Sequence, residues 1–159
     1  MSGQFRILAV DPGSEASALV LYDPAARLVQ LAVKEPNDCA LSRVREYAKT
    51  PDLSLVVERI ACYGMPVGEE VLETVWWSGR FAEAWGRPSL RIKRLAVKLA
   101  LCHDSRAKDA NIRQAVIDRF GGKAVAIGLK KSPGPLYGIK ADLWQALGLA
   151  LTAVEAERD

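Results

Sequence analysis

Three acidic residues stand where apolar segments of the sequence begin or end. Asp11 follows a short apolar run and precedes a Pro-Gly pair, Glu58 closes a second run, and Asp142 falls in the first turn of an apolar C-terminal helix. A single aspartate before Pro and Gly is typical of an ordinary turn. Three acids at the ends of core elements instead predict a shared site, because buried carboxylates repel one another unless a cation neutralises them.

The ligand chemistry of these acids favours hard divalent cations. Carboxylate oxygens without His or Cys partners select Mg²⁺ or Mn²⁺. Two such ions about 4 Å apart activate a water molecule and stabilise the attacking and leaving oxygens of a displacement at phosphorus. The acids therefore predict metal-dependent phosphodiester hydrolysis with two Mg²⁺ or Mn²⁺ ions per active site.

The positive charge of the chain is concentrated in its second half. The net charge is only +3, yet positions 80–140 hold fourteen Lys or Arg residues against four acidic residues. Such segregation favours a polyanionic partner, and in nucleic acids the backbone charge dominates affinity. A solvated face is the alternative, although a merely solubilising surface mixes both signs. The residues of this region that we expect to contact nucleic acid are Arg80, Lys98, Arg106, Lys130, Lys131 and Lys140.

Short apolar runs alternate with amphipathic segments, which predicts one α/β domain over residues 1–159. The first two runs are nearly continuously apolar, so they predict a β-hairpin inside a sheet that is covered on both faces. Predicted strands cover residues 5–10, 18–22, 27–35, 53–57 and 88–93. Predicted helices cover residues 40–49, 67–85, 95–101, 110–120 and 141–155. The basic segment 122–138 is predicted to be either a functional loop or a disordered one.

Composition narrows the class of protein. Half of the residues are hydrophobic, but no apolar run approaches the length that spans a membrane. The run after Met1 is short and reaches Asp11 rather than a small-residue cleavage site, so no secretory signal is expected. The three cysteines lack metal-ligand spacing and are expected to be reduced. We therefore expect a cytoplasmic protein without a membrane partner.

The order of these features resembles a known family. The stretches ILAVDPGS, LVVERIACYGMPVG and KADLWQALGLALTA are similar to the ribonuclease H-like superfamily, and more closely to its RuvC-type Holliday junction resolvases, especially phage-encoded ones. The resemblance implies a five-stranded mixed β-sheet flanked by α-helices. It also implies a homodimer that makes two symmetric nicks in a four-way DNA junction, with Asp11, Glu58 and Asp142 as metal ligands.

Some family positions differ in this sequence. Bacterial resolvases carry a second aspartate one turn into the last helix, where this chain has Gln145. The family's catalytic lysine region resembles residues 98–108, which makes Lys108 the candidate catalytic residue and Arg106 a neighbouring candidate. Tyr63 is the nearest residue able to act as the aromatic that wedges into the junction. The lone His103 is either a proton shuttle or an ordinary surface histidine.

The predicted helix 67–85 is the candidate dimer interface. The residues predicted to face its own core are Val71, Leu72, Val75, Gly79 and Ala82. Trp76, Trp77, Phe81 and Trp85 add more aromatic surface than one face buries inside a small domain, and aromatic residues are enriched where partners meet. The alternative is that these rings all pack on the sheet.

Other functions remain open at this point. The Asp-Pro-Gly-Ser segment also resembles the phosphate loop of actin-like kinases and ATPases, but those proteins need two such domains, so we expect no nucleotide cofactor. A nuclease of the same fold acting on RNA or flaps is a second alternative. A junction-binding protein that does not cleave is a third.

Overall fold

The structure is a computed structural model that describes residues 5–159; residues 1–4, the start of the predicted domain, lie outside the described part. Within it, a five-stranded sheet has the order β3-β2-β1-β4-β5. Its strands are β1 (Arg6–Asp11), β2 (Ala16–Asp23), β3 (Leu28–Pro36), β4 (Leu53–Arg59) and β5 (Leu90–Lys93). The first three strands pair antiparallel, whereas β1, β4 and β5 run parallel. The predicted hairpin and mixed sheet are confirmed.

Helices cover both faces of this sheet. On one face lie α1 (Asn37–Tyr47) and α2 (Glu69–Trp85), and on the other lie α3 (Arg94–Cys102), α4 (Asp109–Arg119) and α6 (Leu143–Ala156). Between α4 and α6 the chain forms the short helix α5 (Lys123–Ala126) and a small hairpin of β6 (Gly128–Leu129) and β7 (Ser132–Pro133). The result is an α/β protein with a central sheet between two helical layers.

Alternation along the strands divides the core into two clusters. In β1, Leu8 and Val10 pack toward α1 and α2, whereas Ile7 and Ala9 pack toward α3, α4 and α6. This is the period of two that a strand requires when both faces are buried. Helix α6 is apolar around its whole circumference, and residues 143–153 are all buried. The helix that carries the third acid is therefore fixed against the centre of the sheet.

The predicted core face of α2 is wrong. Trp77, Phe81 and Trp85 are buried, whereas Leu72 is 60% exposed and Val75 is 45% exposed. Two apolar stripes run along this helix. The stripe with the large aromatic rings faces the core, because burying these rings removes more apolar surface from water than burying Leu72 and Val75 would. Of the aromatic residues predicted for a dimer interface, Trp76 alone remains exposed, at 58%.

Segment 122–138 has structure of its own, although the sequence predicted a loop. Ala126 and Leu136 are buried in the core and are joined by a backbone hydrogen bond of 2.8 Å. Gly134 lies so close to this turn that an added Cβ would approach the carbonyl oxygen of Val125 to 2.3 Å. Lys130 and Lys131 are exposed in the turn between β6 and β7.

Two structural observations concern membrane-spanning helices and the state of the cysteines. No helix in the described residues combines the length and apolarity needed to cross a bilayer. The cysteines Cys39, Cys62 and Cys102 are free thiols, and the first two are exposed.

Candidate active site

Parallel pairing of β1 and β4 brings the first two acids together. Val10 is paired with Val57, so Asp11 and Glu58 follow side by side at the same edge of the sheet. Both side chains point toward the helical layer that contains α6. Residues two apart on a strand share a face, and Ala9 and Val56, two residues before the acids, pack in the core cluster on that side. Their side chains are only 10% and 11% exposed, and they are hydrogen-bonded to each other. The structure thus places these two predicted site residues side by side, and their role as metal ligands stays a prediction.

This environment changes the protonation of Asp11. Burial, the hydrogen bond to Glu58 and the negative charge of Glu58 raise the pKa of Asp11 to about 9, while the Arg94 guanidinium acts in the opposite direction. Asp142 adds a further raising effect on this pKa. The pair therefore holds a proton on Asp11 at neutral pH in the absence of a metal.

Arg94 supplies a positive charge directly at these two carboxyl groups. It follows the last residue of β5, the third parallel strand, at the same sheet edge. Its Nε and Nη2 donate hydrogen bonds to the two carboxylate oxygens of Glu58 at 3.0 and 3.3 Å. Nη2 lies 3.6 Å from Asp11 Oδ1, and Nη1 donates to Asp109 Oδ1 at 3.5 Å. Arg94 and Asp109 were missed as site residues, although a charged residue directly after a third parallel strand was a usable signal.

A buried polar network fixes the loop that follows Asp11. The backbone N–H of Gly13 donates to Ser17 Oγ at 3.1 Å, and Ser17 Oγ donates to Asn37 Oδ1 at 2.6 Å. The Asn37 amide donates back to the Gly13 carbonyl oxygen at 2.9 Å. A Cβ on Gly13 would meet the carbonyl oxygen of Ala16 at 2.2 Å, so the turn admits only glycine. Ser17 and Asn37 thus position Asp11 through the backbone, a role that sequence reasoning missed.

Asp142 forms an ion pair outside the Asp11–Glu58 pair, although its charge still raises the pKa of Asp11. Its carboxylate pairs with Lys34 of β3, and both side chains are about half exposed. Lys34, Ala18 and Asp11 form one row across the sheet, so the backbones of Lys34 and Asp11 lie two strand spacings apart, about 10 Å, and their side chains share one face of the sheet. Within residues 5–159, no three His, Cys, Asp or Glu side chains are close enough to hold a metal. The structure therefore brings Asp11 and Glu58 together and pairs Asp142 with Lys34, and a shared metal site of all three acids stays a prediction.

Helix α6 brings a neutral residue nearer to the pair. Gln145, one turn after Asp142, is buried and lines a narrow crevice together with Glu58 and Arg94. The side chain that approaches Glu58 from this helix is thus an amide rather than a carboxylate.

The acid pair opens into a cavity of about 520 Å³. Tyr63 and Lys98, two predicted DNA contacts, line it, and Arg59 lies at the same cavity. Lys98 follows Arg94 by one helical turn and therefore shares its face of α3. A second cavity of about 400 Å³ is lined by Asp109, Arg113, Lys140 and Asp142 among others.

No family model and no curated protein matches the sequence. Solved structures do match the fold. The structure of T. thermophilus RuvC in complex with a Holliday junction substrate has a TM-score of 0.63 and 20% identity, covering 97% of this chain and 95% of that chain. A second Thermus thermophilus RuvC structure has a TM-score of 0.60 and 19% identity, covering 97% and 96%. The chain has the RuvC fold. The ribonuclease H-like fold predicted from the sequence is thereby confirmed.

The remaining predicted residues occupy different parts of this RuvC-like fold. Arg106 and Lys108 are exposed in the segment before α4, and the Lys108 backbone N–H donates to Asn111 Oδ1 at 2.8 Å. Arg80 belongs to α2, on the other face of the sheet, where its guanidinium lies 4.2 Å from the centre of the Trp77 ring. Lys108 does not line the cavity of the acid pair, whereas Lys98 does.

His103 has a conformational role in the RuvC-like fold. It ends α3 in the left-handed conformation, with φ of 56°, and its backbone N–H donates to the Leu99 carbonyl oxygen at 3.1 Å. Such a position favours Gly or Asn at a helix C-terminus. Its side chain is exposed and does not line the acid-pair cavity.

The donor set at the acid pair fits a divalent cation. Asp11 and Glu58 offer carboxylate oxygens alone, and a bound cation would compensate the burial and the Glu58 charge that raise the pKa of Asp11. Asp142 is paired with Lys34. A three-carboxylate site in this RuvC-like fold therefore requires Asp142 to exchange its lysine partner for the metal.

Proposed function

We propose that this protein is a metal-dependent endonuclease that resolves Holliday junctions. The observation that carries the proposal is the buried Asp11–Glu58 pair at the carboxyl ends of two parallel strands in a RuvC-like fold. The solved T. thermophilus RuvC was bound to a Holliday junction substrate. The basic segment 80–140 supports a DNA partner for this chain as well. We place its action in the cytoplasm, and the phage-encoded branch of resolvases remains a prediction.

Asp11, Glu58 and Asp142 would hold Mg²⁺ or Mn²⁺, with two ions per active site. The metal supplies an activated water and stabilises charge at the reacting phosphate. Asp11 must give up its proton before it binds the cation, because the ligand is the carboxylate. Ser17 and Asn37 keep the Asp11 loop in place while this exchange occurs.

Basic and aromatic residues around the cavity would hold the DNA. Lys98 lies beside the acid pair and is suited to contact the phosphate next to the cut, and Lys108 is the second candidate for this catalytic role. Tyr63 is exposed at the cavity and is suited to stack on an unpaired base at the branch point. Exposed Arg106, Lys130, Lys131 and Lys140, with Arg80 on the opposite face, would contact the backbone of the arms.

The resolvase would act as a homodimer, since a four-way junction offers two equivalent strands to cut. The exposed face of α2, formed by Leu72, Val75 and Trp76, is the proposed interface. Trp77, Phe81 and Trp85, expected at this interface from the sequence, are part of the core instead.

A second function has its own supporting observation. Arg94 neutralises the acid pair from within the protein, so the pair is stable without a metal. This arrangement would also suit a junction-binding protein that does not cleave DNA.

One gel experiment separates these functions. The protein is incubated with a four-way junction, a flap, an RNA–DNA hybrid and a linear duplex, each with Mg²⁺, Mn²⁺ or EDTA. A resolvase makes paired, metal-dependent nicks in the junction and leaves the linear duplex intact. If only the flap or only the RNA–DNA hybrid is cleaved, that nucleic acid and not the four-way junction is the substrate. Junction binding without any cleavage supports the non-catalytic function.

A further inference from the structure

The guanidinium of Arg94 is surrounded by carboxylates. It contacts Glu58 through two hydrogen bonds, Asp11 at 3.6 Å and Asp109 at 3.5 Å. Glu58 and Asp11 are nearly buried, whereas Asp109 is 67% exposed. Arg94 thus spans from the interior of the site to its solvent-exposed rim.

The two-pronged contact with Glu58 uses the oxygens that a metal would need. The arginine fork donates to both oxygens of Glu58 and places a positive charge beside them, so a divalent cation that ligates either oxygen competes with it. A partly exposed arginine on the first residue of α3 has room to move, because the cavity beside it holds about 520 Å³. Asp109 offers it another partner at the rim without further movement of the backbone.

We propose that Arg94 is a built-in counter-ion that competes with the divalent metal for Glu58 and Asp11, an inference that rests on the proposed metal-dependent function. Without metal, Arg94 holds the carboxylates together. When metal binds, Arg94 releases Glu58 and remains paired with Asp109. The metal affinity of the protein is therefore set in part by an arginine that is not itself a ligand.

The direct test compares Mn²⁺ binding by calorimetry and by thermal shift in the wild type and in Arg94→Gln. Removing the competitor is expected to tighten Mn²⁺ binding at least about tenfold, which corresponds to the loss of one charge-assisted contact. Arg91→Gln is the matched control, because Arg91 is exposed on β5 and forms no salt bridge in the described residues. The control is expected to change the affinity less than twofold.

A second variant distinguishes the loss of competition from a general folding defect. Arg94→Lys keeps the positive charge but loses the fork, so its Mn²⁺ affinity is expected between those of the wild type and Arg94→Gln. Equal or weaker Mn²⁺ binding in the folded variants would overturn the competition, whether or not the wild type cleaves junctions. Junction cleavage by the wild type tests the proposed function separately.

The role of Asp109 is tested by a double-mutant cycle. Asp109→Asn removes the alternative partner, so Arg94 stays on Glu58 and Mn²⁺ binding is expected to weaken severalfold. In the Arg94→Gln background the same change is expected to have no effect, because no arginine remains to be relocated. An equal loss in both backgrounds would overturn this role and make Asp109 act on the metal directly.

Discussion

At the scale of single residues, the protonation state of Asp11 governs both its contribution to stability and its ability to bind a metal. Burial and the neighbouring Glu58 raise its pKa from 3.8 to about 9 in the folded protein. The folded state therefore gains full stability from protonated Asp11 below pH 3.8, and this contribution is lost as the pH rises to about 9. Metal binding opposes this preference, because it requires the ionised carboxylate.

Asp11→Asn is expected to separate stability from activity. In EDTA at pH 8 the variant should be more stable than the wild type by about 1–3 kcal/mol, because Asp11 is ionised in the unfolded chain at this pH and must take up a proton on folding, whereas Asn need not. Its unfolding free energy should also depend less on pH between 5 and 9, and junction cleavage in Mg²⁺ should be lost. Denaturant unfolding at several pH values and a cleavage gel measure these effects.

Asp52→Asn, at an exposed turn, is the control for this variant and should leave the pH dependence unchanged. Equal pH dependence in the wild type and Asp11→Asn would contradict the shared proton. Full cleavage by Asp11→Asn would remove this residue from the metal site.

Asn37 should be needed for the position of Asp11. Asn37→Ala leaves Ser17 and the Gly13 carbonyl oxygen without their buried partner, which should cost about 1–3 kcal/mol of unfolding free energy. Cleavage should fall even under conditions where the variant remains folded. Ser42→Ala, at an exposed site on the same helix, should change stability by about 0.5 kcal/mol or less. Unchanged cleavage in folded Asn37→Ala would mean that the loop keeps its place without the network.

The residues predicted from the sequence share one property. Asp11 is the last residue of β1 and Glu58 is the last but one of β4, and a local apolar pattern is enough to predict where such strands end. The position of Arg94 carried the same signal, since it directly follows β5, but its carboxylate partners, like the Lys34–Asp142 pair, are set by the register of strands distant in the sequence. Asp142 was assigned to the correct helix terminus, but its pairing with Lys34 depends on this same long-range register.

At the scale of elements, the strands were predicted better than the faces of helices. A strand buried on both sides is a short apolar run, and β1, β2 and β4 were recognised in this way. Helix α2 carries two apolar stripes, and periodicity does not say which one meets the sheet. In segment 122–138, the turn residues and lysines gave no clear pattern for the short helix α5 or for the β6–β7 hairpin, a region that Ala126 and Leu136 anchor in the core.

The start of α6 contains a strained residue that can be tested. Ala141, next to Asp142, has φ of 49°, a conformation that costs an L-residue about 1–2 kcal/mol. Ala141→Gly should relieve more strain than it adds chain entropy, raising stability by about 0.5–1 kcal/mol. Thermal unfolding should show an increase of about 1–4 °C. Ala96→Gly, at an exposed position inside α3, should instead lose about 0.5–1 kcal/mol. A loss of stability in both variants would contradict the strain at Ala141.

At the scale of the whole molecule, positive charge surrounds the two cavities and extends to the β6–β7 turn. Replacing Lys130 and Lys131 by Ala should weaken DNA binding about uniformly across sequences and reduce the slope of log affinity against log salt by up to about 2. Replacing Arg45 and Lys49 of the α1 region is the matched control, because these exposed residues lie on the other face of the sheet. Fluorescence anisotropy at several salt concentrations measures both slopes. An unchanged slope after replacement of the two lysines would mean that the DNA-binding surface lies elsewhere on the protein.

The exposed face of α2 makes the assembly of the molecule testable. Leu72, Val75 and Trp76 leave a contiguous apolar face on a helix whose opposite side is already in the core, and aromatic residues are enriched where partners meet. Sedimentation at micromolar concentration should therefore show a dimer, and Trp76→Glu should shift it to a monomer that still folds. Glu83→Gln, exposed on the same helix, should leave the dimer intact. A monomeric wild type that makes single, unpaired nicks would instead leave a monomeric nuclease of this fold, because one active site cuts only one of the two equivalent strands.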